Sequence, residues 1–207
     1  MLLSDQHTPV LSSFVGGAAR TPNLEQMRNA GICYDAAYTP CPLCVPARMS
    51  MLSGRLPSKT GILTNADTLP TTTPTFVHAL AAAGYETVLI GRMHFIGPDQ
   101  RHGFQHRLVG DITPVTWTRP VETLKQVRGA SWDSFTEEGC LEVVGGGSNP
   151  VAEYDLQVTQ AARAWLSLPH DKPQFILVGT YGPHFPYIVS PERYRRYKRL
   201  LLPLIHI

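Results

Sequence analysis

The segment "CPLCVPARMSMLSGR", Cys41 to Arg55, holds two cysteines three positions apart, a proline following each, and an arginine at the head of an apolar run. Three readings compete. As a Cys-x-x-Cys pair it can ligate zinc or exchange thiols. Zinc usually takes a second pair, however, and Cys33 and Cys140 stand apart from each other. A redox pair normally opens a helix after a strand, whereas Cys41 falls in a proline-rich stretch. As simple packing, both thiols behave as small hydrophobes. The third reading separates them. Pro46 suits the first turn of a helix through "ARMSMLS", and Gly54 stops it. Free N–H groups and the helix dipole at such a start favour an anion. Arg48, one turn onward, adds a fixed positive charge. On this reading Cys44 heads a seat for a nucleophile and an anionic substrate, and Cys41 packs.

Working outward, helix and strand signals alternate, the pattern of an α/β domain. Thr21-Pro22 opens a helix through "NLEQMRNA" that Gly31 stops, and Thr73-Pro74 repeats the device for "TFVHALAAA", stopped by Gly84. "YETVLIG", Tyr85 to Gly91, is a continuous apolar and β-branched run, as expected of a strand buried on both faces. A helix is expected from about Val151 to Leu168, with Tyr154, Val158, Ala161, Ala162 and Trp165 as its apolar stripe. "QFILVGTYG", Gln174 to Gly182, is a second buried strand. From about 111 to 150 the periodicity dissolves into an irregular excursion on one domain spanning 1–207. Both strands run into polar residues at their carboxyl ends, Arg92 and His94 after the first and His184 after the second. A short N-terminal strand likewise ends at Asp5-Gln6. Ligands of open α/β sheets bind outside the carboxyl ends of strands, so these residues are expected to share one site.

Composition narrows the function. A formal charge of +2 with no basic stripe interleaved with aromatics argues against nucleic acid as a partner. Arg193, Arg195, Arg196, Lys198 and Arg199 read as a solvated helix face. No apolar run has the length needed to cross a bilayer, so no membrane partner is expected. Met1-Leu2-Leu3 runs straight into Ser4-Asp5-Gln6-His7 without a leader, which points to the cytoplasm. Four cysteines in 207 residues do not make a disulfide scaffold.

Cys44-Val45-Pro46-Ala47-Arg48 with Leu52-Ser53-Gly54-Arg55 resembles the signature of the type I, formylglycine-dependent sulfatases of the alkaline-phosphatase-like superfamily. That signature reads Cys-x-Pro-x-Arg with a downstream Leu-Thr/Ser-Gly-Arg, and Ala47 stands where serine is usual. Three further motifs follow the family order. "SDQH" resembles its first metal-binding turn. "IGRMHFIGPDQRHGF" resembles its Gly-Lys-x-His element in the choline-sulfatase-like form, and "GPHFPY" its Pro-His-x-Pro element. The approach "TPNLEQMRNAGICYDAAYTPCPLC" is also similar.

The resemblance implies a mixed, mostly parallel sheet flanked by helices, of which this chain is the N-terminal, incomplete portion. It implies a sulfuric ester hydrolase acting on a small-molecule sulfate ester. In such enzymes a maturation enzyme oxidises the cysteine, here Cys44, to formylglycine, whose hydrate is the nucleophile. A calcium ion would take Asp5, Gln6 and the modified Cys44. Arg48 would hold the modified side chain. Arg92, where the family usually has lysine, would contact the sulfate, with Asn65 reaching the substrate. His94 and His184 would act in proton transfer. His7, His78, His102, His106, His170 and His206 are read as structural or surface residues. Family members carry, beyond the Pro-His-x-Pro element, a second metal-binding pair and usually another sulfate-binding lysine. Neither follows His184 here, so this chain alone is expected to be weak or inactive. Two alternatives stay open: a phosphonate or phosphate ester hydrolase of the same superfamily, and a non-catalytic fragment.

Overall fold

A computed structural model describes residues 1–112 and 144–201, with side chains as far as Lys198. Cys140, His206, the side chain of Arg199 and most of the irregular excursion lie outside the described residues. The centre is β2 (Glu86–Gly91), whose last five residues are all buried. Thr87, Val88 and Ile90 are β-branched and suit a pleated surface covered on both faces. It pairs in parallel with β5 (Gln174–Gly179), setting Val88 against Ile176, Leu89 against Leu177 and Ile90 against Val178. β1 (Leu2–Leu3) adds to the far side of β5, and β3 (His106–Leu108) to the other side of β2, all in parallel. The order is therefore β1-β5-β2-β3. The expected parallel sheet is present.

Because side chains alternate along a strand, β2 and β5 feed two cores. Leu89 and Leu177 point to one side, where they meet Val45, Met49 and Leu52 of α2 (Cys44–Ser53) and Val77 of α4 (Phe76–Ala82). Val88, Ile90 and Val178 point to the other, against Val151, Tyr154, Val158 and Ala162 of α5 (Pro150–Leu166). Ala161 and Trp165, expected on the same stripe, pack there partly buried. α1 (Pro22–Ala30) buries none of its residues, and α3 (Pro57–Thr60) is a single turn after α2. A second, two-stranded parallel sheet joins β4 (Val144–Gly146) to β6 (Tyr187–Val189), and α6 (Pro191–Leu201) packs against it. Exposed Arg193, Arg195, Arg196 and Lys198 line the outer side of α6, as read from the sequence. Among the described residues no helix is long and apolar enough to cross a membrane.

Two boundaries differ from the sequence reading for a clear reason. α4 is capped by Thr75 rather than Thr73, because Thr75 and His78 close a reciprocal cap: the Thr75 hydroxyl accepts from His78 N–H and His78 Nδ1 accepts from Thr75 N–H. β5 stops at Gly179, three residues early. There the backbone N–H of Arg92 donates to Gly179 O at 2.8 Å, and a Cβ on Gly179 would lie 1.9 Å from Arg92 O. Only glycine lets the two strand ends pass this closely. α2 starts at Cys44, the residue that the sequence reading places at the helix N-terminus.

Candidate active site

Every strand of the four-stranded sheet delivers a polar residue to its carboxyl edge: Asp5 after β1, Arg92 and His94 after β2, Asp111 after β3, and His184 after β5. α2 brings Cys44 and Arg48 to the same place. Cys44 is the first helical residue, Pro46 lies in the first turn, and Arg48 follows one turn on. Leu43 precedes the helix and has no side chain to cap it. The cap comes from Asn65, whose Oδ1 accepts the Val45 N–H at 2.9 Å. Asn65 thus sits at the mouth of this helix with its carbonyl oxygen engaged.

Asp5 is the centre of the arrangement, only 6% exposed. Its Oδ2 takes Arg92 Nε at 2.5 Å and lies 3.4 Å from Arg48 Nη2. The Cys44 thiol faces the same carboxylate, with Sγ 3.4 Å from Oδ1 and 3.6 Å from Oδ2. Polar atoms of Asp5, Cys44 and His184 all lie within 4.8 Å of one another. Arg92, 1% exposed, is held on four sides: by Asp5, by Asp111 (Nη1 to Oδ1 3.5 Å), by the Tyr181 ring 4.0 Å from its Cζ, and by His94 Nδ1 at 3.0 Å from Nη2. Arg48 Nη1 donates to the Arg92 carbonyl at 3.2 Å.

The charges follow from this packing. Burial acts to raise the Asp5 pKa, but Arg92, Arg48 and His184 outweigh it and hold the carboxyl below its ordinary value. The Cys44 thiol is pushed up, by burial first and Asp5 second, against the smaller pull of the two arginines. It is therefore a protonated thiol and not the low-pKa thiolate of a cysteine nucleophile. His94 is pushed down to about 3 by burial and by Arg92, so it is neutral. A guanidinium can only donate, so His94 Nδ1 accepts from Arg92 and the ring proton sits on Nε2. His184 is lowered by burial, and its Nδ1–H donates to Phe185 O at 3.0 Å, which leaves the Nε2 lone pair open. The resting tautomers are opposite.

The fold thus brings together Asp5, Cys44, Arg48, Arg92, His94 and His184. Gln6 stands beside them, exposed, with φ 53° and its amide 3.4 Å from the Tyr187 hydroxyl. Cys33 and Cys41 are free thiols, like Cys44. Sequence reasoning missed three residues. Asp111 accepts the N–H groups of His94 and Met93 at 2.6 and 3.2 Å. Tyr181 stacks on Arg92, and Asp155 of α5 accepts from Tyr181 N and Gly182 N at 2.6 and 2.7 Å, fixing the turn that leads to His184. Asp155 had no distinguishing signal, since Glu153 and Asp155 both flank Tyr154 on the helix that packs on both strands.

Residues 3–200 match the family model described as Sulfatase. The chain is 35% identical over 189 residues to a choline-sulfatase of Rhizobium meliloti, covering 86% of this chain and 36% of that protein. It is also 35% identical over 112 residues to arylsulfatase A of Bos taurus, covering 48% and 22%. Among solved structures, one in complex with its substrate D-glucosamine-2-N,6-O-disulfate superposes with a TM-score of 0.67 at 23% identity, over 97% of this chain and 37% of that one. A phosphonate monoester hydrolase of Agrobacterium radiobacter gives 0.67 at 18% identity, over 94% and 42%. The chain spans little more than a third of the length of the choline-sulfatase it matches. With the four motifs, the parallel sheet and the guanidinium-lined seat of Cys44 all in the family's order, the chain belongs to the sulfatase family.

Proposed function

We propose that this site hydrolyses sulfate monoesters, with residue 44 as nucleophile after oxidation of Cys44 to formylglycine. The observation that carries the proposal is the pair of buried guanidiniums, Arg48 and Arg92, beside a Cys44 thiol that burial and Asp5 keep protonated. Two fixed positive charges suit a tetrahedral oxyanion, and a thiol held protonated is a poor nucleophile as it stands. When present, formylglycine would supply a hydrated aldehyde: one hydroxyl to attack sulfur, and a second whose deprotonation lets sulfate leave.

The chain's own residues would do the rest. Arg48 and Arg92 would meet the sulfate oxygens, where buried charge stabilises a transition state most. Asp5 aligns both guanidiniums. His94, with a proton on Nε2, and His184, with an open Nε2, can between them give one proton and take another within a cycle. The residues also fit one side of a calcium ion: the Asp5 carboxylate, the Gln6 carbonyl and a hydroxyl at position 44 are hard oxygen donors. Calcium takes six to eight such oxygens, so the others would come from beyond these three. Bound there, the ion would offset the charge of sulfate and acidify the hydroxyl at 44. The likeness to a choline-sulfatase supports a small organosulfate as substrate.

The test is mass spectrometry of the peptide holding Cys44, from chain co-expressed with a formylglycine-generating enzyme. The expected product has lost sulfur and carries an aldehyde, while Cys41 keeps its thiol. An unmodified Cys44 under these conditions would sink the nucleophile assignment. Rates on matched sulfate and phosphate or phosphonate esters, measured with the whole protein, decide between the two hydrolase readings.

A further inference from the structure

Asp111 lies outside every motif of the site, yet its side chain is 1% exposed and faces two of the site's residues. Oδ2 accepts the backbone N–H of His94 at 2.6 Å and of Met93 at 3.2 Å, while Oδ1 lies 3.5 Å from Arg92 Nη1. His94 has φ 57°, in the left-handed region that a residue bearing a Cβ rarely adopts. Such a conformation persists only where neighbouring groups over-determine it. Here the neighbour is a carboxylate paired with the Arg92 guanidinium, and carboxylate bonds to N–H groups are short and strong. β3 explains how it arrives. Leu108 pairs with Ile90, Gly91 N donates to Val109 O at 3.1 Å, and Val109 turns the chain with φ 55° so that Asp111 meets the end of β2.

We propose that Asp111 is a positioning residue of this site, holding the His94 turn in its left-handed conformation and fixing the far end of Arg92. The proposal rests on the reading that Arg92 and His94 face a sulfate. It assigns to the three-residue strand β3 a purpose beyond completing the sheet: carrying the carboxylate that sets the geometry after β2. Asp111 would act through the His94 backbone and the Arg92 side chain and touch no reacting atom.

Two measurements on the chain test it: amide hydrogen exchange resolved by residue, and calorimetric binding of inorganic sulfate. Asp111→Ala is expected to speed exchange at His94 and to weaken sulfate binding, each by about tenfold or more, as loss of a charged acceptor implies. Leu89 and Val178, in the buried strands, should keep their protection. Asp111→Asn keeps an acceptor oxygen and should recover part of both effects. Unchanged sulfate affinity in Asp111→Ala, or an equal loss of protection at Leu89 and Val178, overturns the proposal. If Asp111→Ala does not fold, Asp111→Asn carries the test: faster exchange confined to the His94 turn supports it, and unaltered exchange there overturns it. A wild-type chain that binds no sulfate, with a His94 amide still sensitive to residue 111, would overturn the sulfate reading and leave the hold of Asp111 on the turn intact.

Discussion

Arg92 stands where the family resemblance leads one to expect lysine, and the exchange changes what surrounds Asp5. A lysine ammonium is a compact point charge. The planar guanidinium reaches Asp5, Asp111 and His94 Nδ1 at once and lies over the Tyr181 ring. The carboxylate that a calcium ion would need is therefore already engaged at Oδ2 by a cation of the chain itself. Arg92→Lys is expected to tighten calcium binding to the chain by roughly tenfold, the scale of one charged hydrogen bond. Equilibrium dialysis with calcium alone checks this, and equal affinities in the two proteins would show that the guanidinium does not compete. The same substitution leaves Asp111 with less compensation, so a lower melting temperature should accompany it.

Among the elements, α2 decides the site, because it sets Cys44, the proposed nucleophile position, at a helix start. Its sequence supplies Pro46 and Gly54 for the two ends but nothing at Leu43 to cap the first turn. Asn65 provides that acceptor from 20 residues downstream. Asn65→Ala is expected to cost about 1 kcal/mol, the usual loss for an N-cap. For a chain of this size that lowers the melting temperature by roughly 2–4 °C. A thermal melt showing no change would rule out the capping role. A fall in sulfate affinity far beyond this stability loss would mean that Asn65 also reaches the ligand. The elements themselves were legible where a period or a cap was strong: α2, β2, β5 and the apolar stripe of α5. β3 was not. Its three residues, His106, Arg107 and Leu108, show no apolar run, so the strand and the Asp111 it delivers become visible only when paired to β2.

For the molecule as a whole, the site makes the fold sensitive to acid. His94 is held neutral with a pKa of about 3, whereas in the unfolded chain it takes a proton near 6.5. Between those values the unfolded state binds more protons, so stability falls as pH drops through the window, by at most about 1.4 kcal/mol per unit. Asp5 adds to this at lower pH. Its folded pKa is depressed, so its contribution is complete above about 3.9 and is lost as pH falls through the lower folded value. Melting temperature should therefore decline from about pH 7 downward. His94→Asn, which tolerates the left-handed backbone, should flatten that decline. His184 and His102, both also lowered by burial, contribute to the slope that remains, with Asp5 below them. An identical pH profile in the variant would contradict the burial of a neutral His94.

The sequence by itself determined the α/β class, the two buried strands, the helix start at Cys44, and Asp5, Arg92, His94 and His184 among the residues that meet at the strand ends. These are local properties: hydrophobic period, proline and glycine placement, and short motifs within a few positions of one another. Only the tertiary structure decided who pairs with whom. Asp5 and Arg92 are 87 positions apart, and Asp111 reaches His94 from a strand with no signal of its own. Parallel strands bring distant residues to one edge, and there burial makes an unpaired charge costly, so partners are fixed by proximity in a dry interior rather than by spacing along the chain. The same burial sets the protonation of Cys44 and His94, which no motif records.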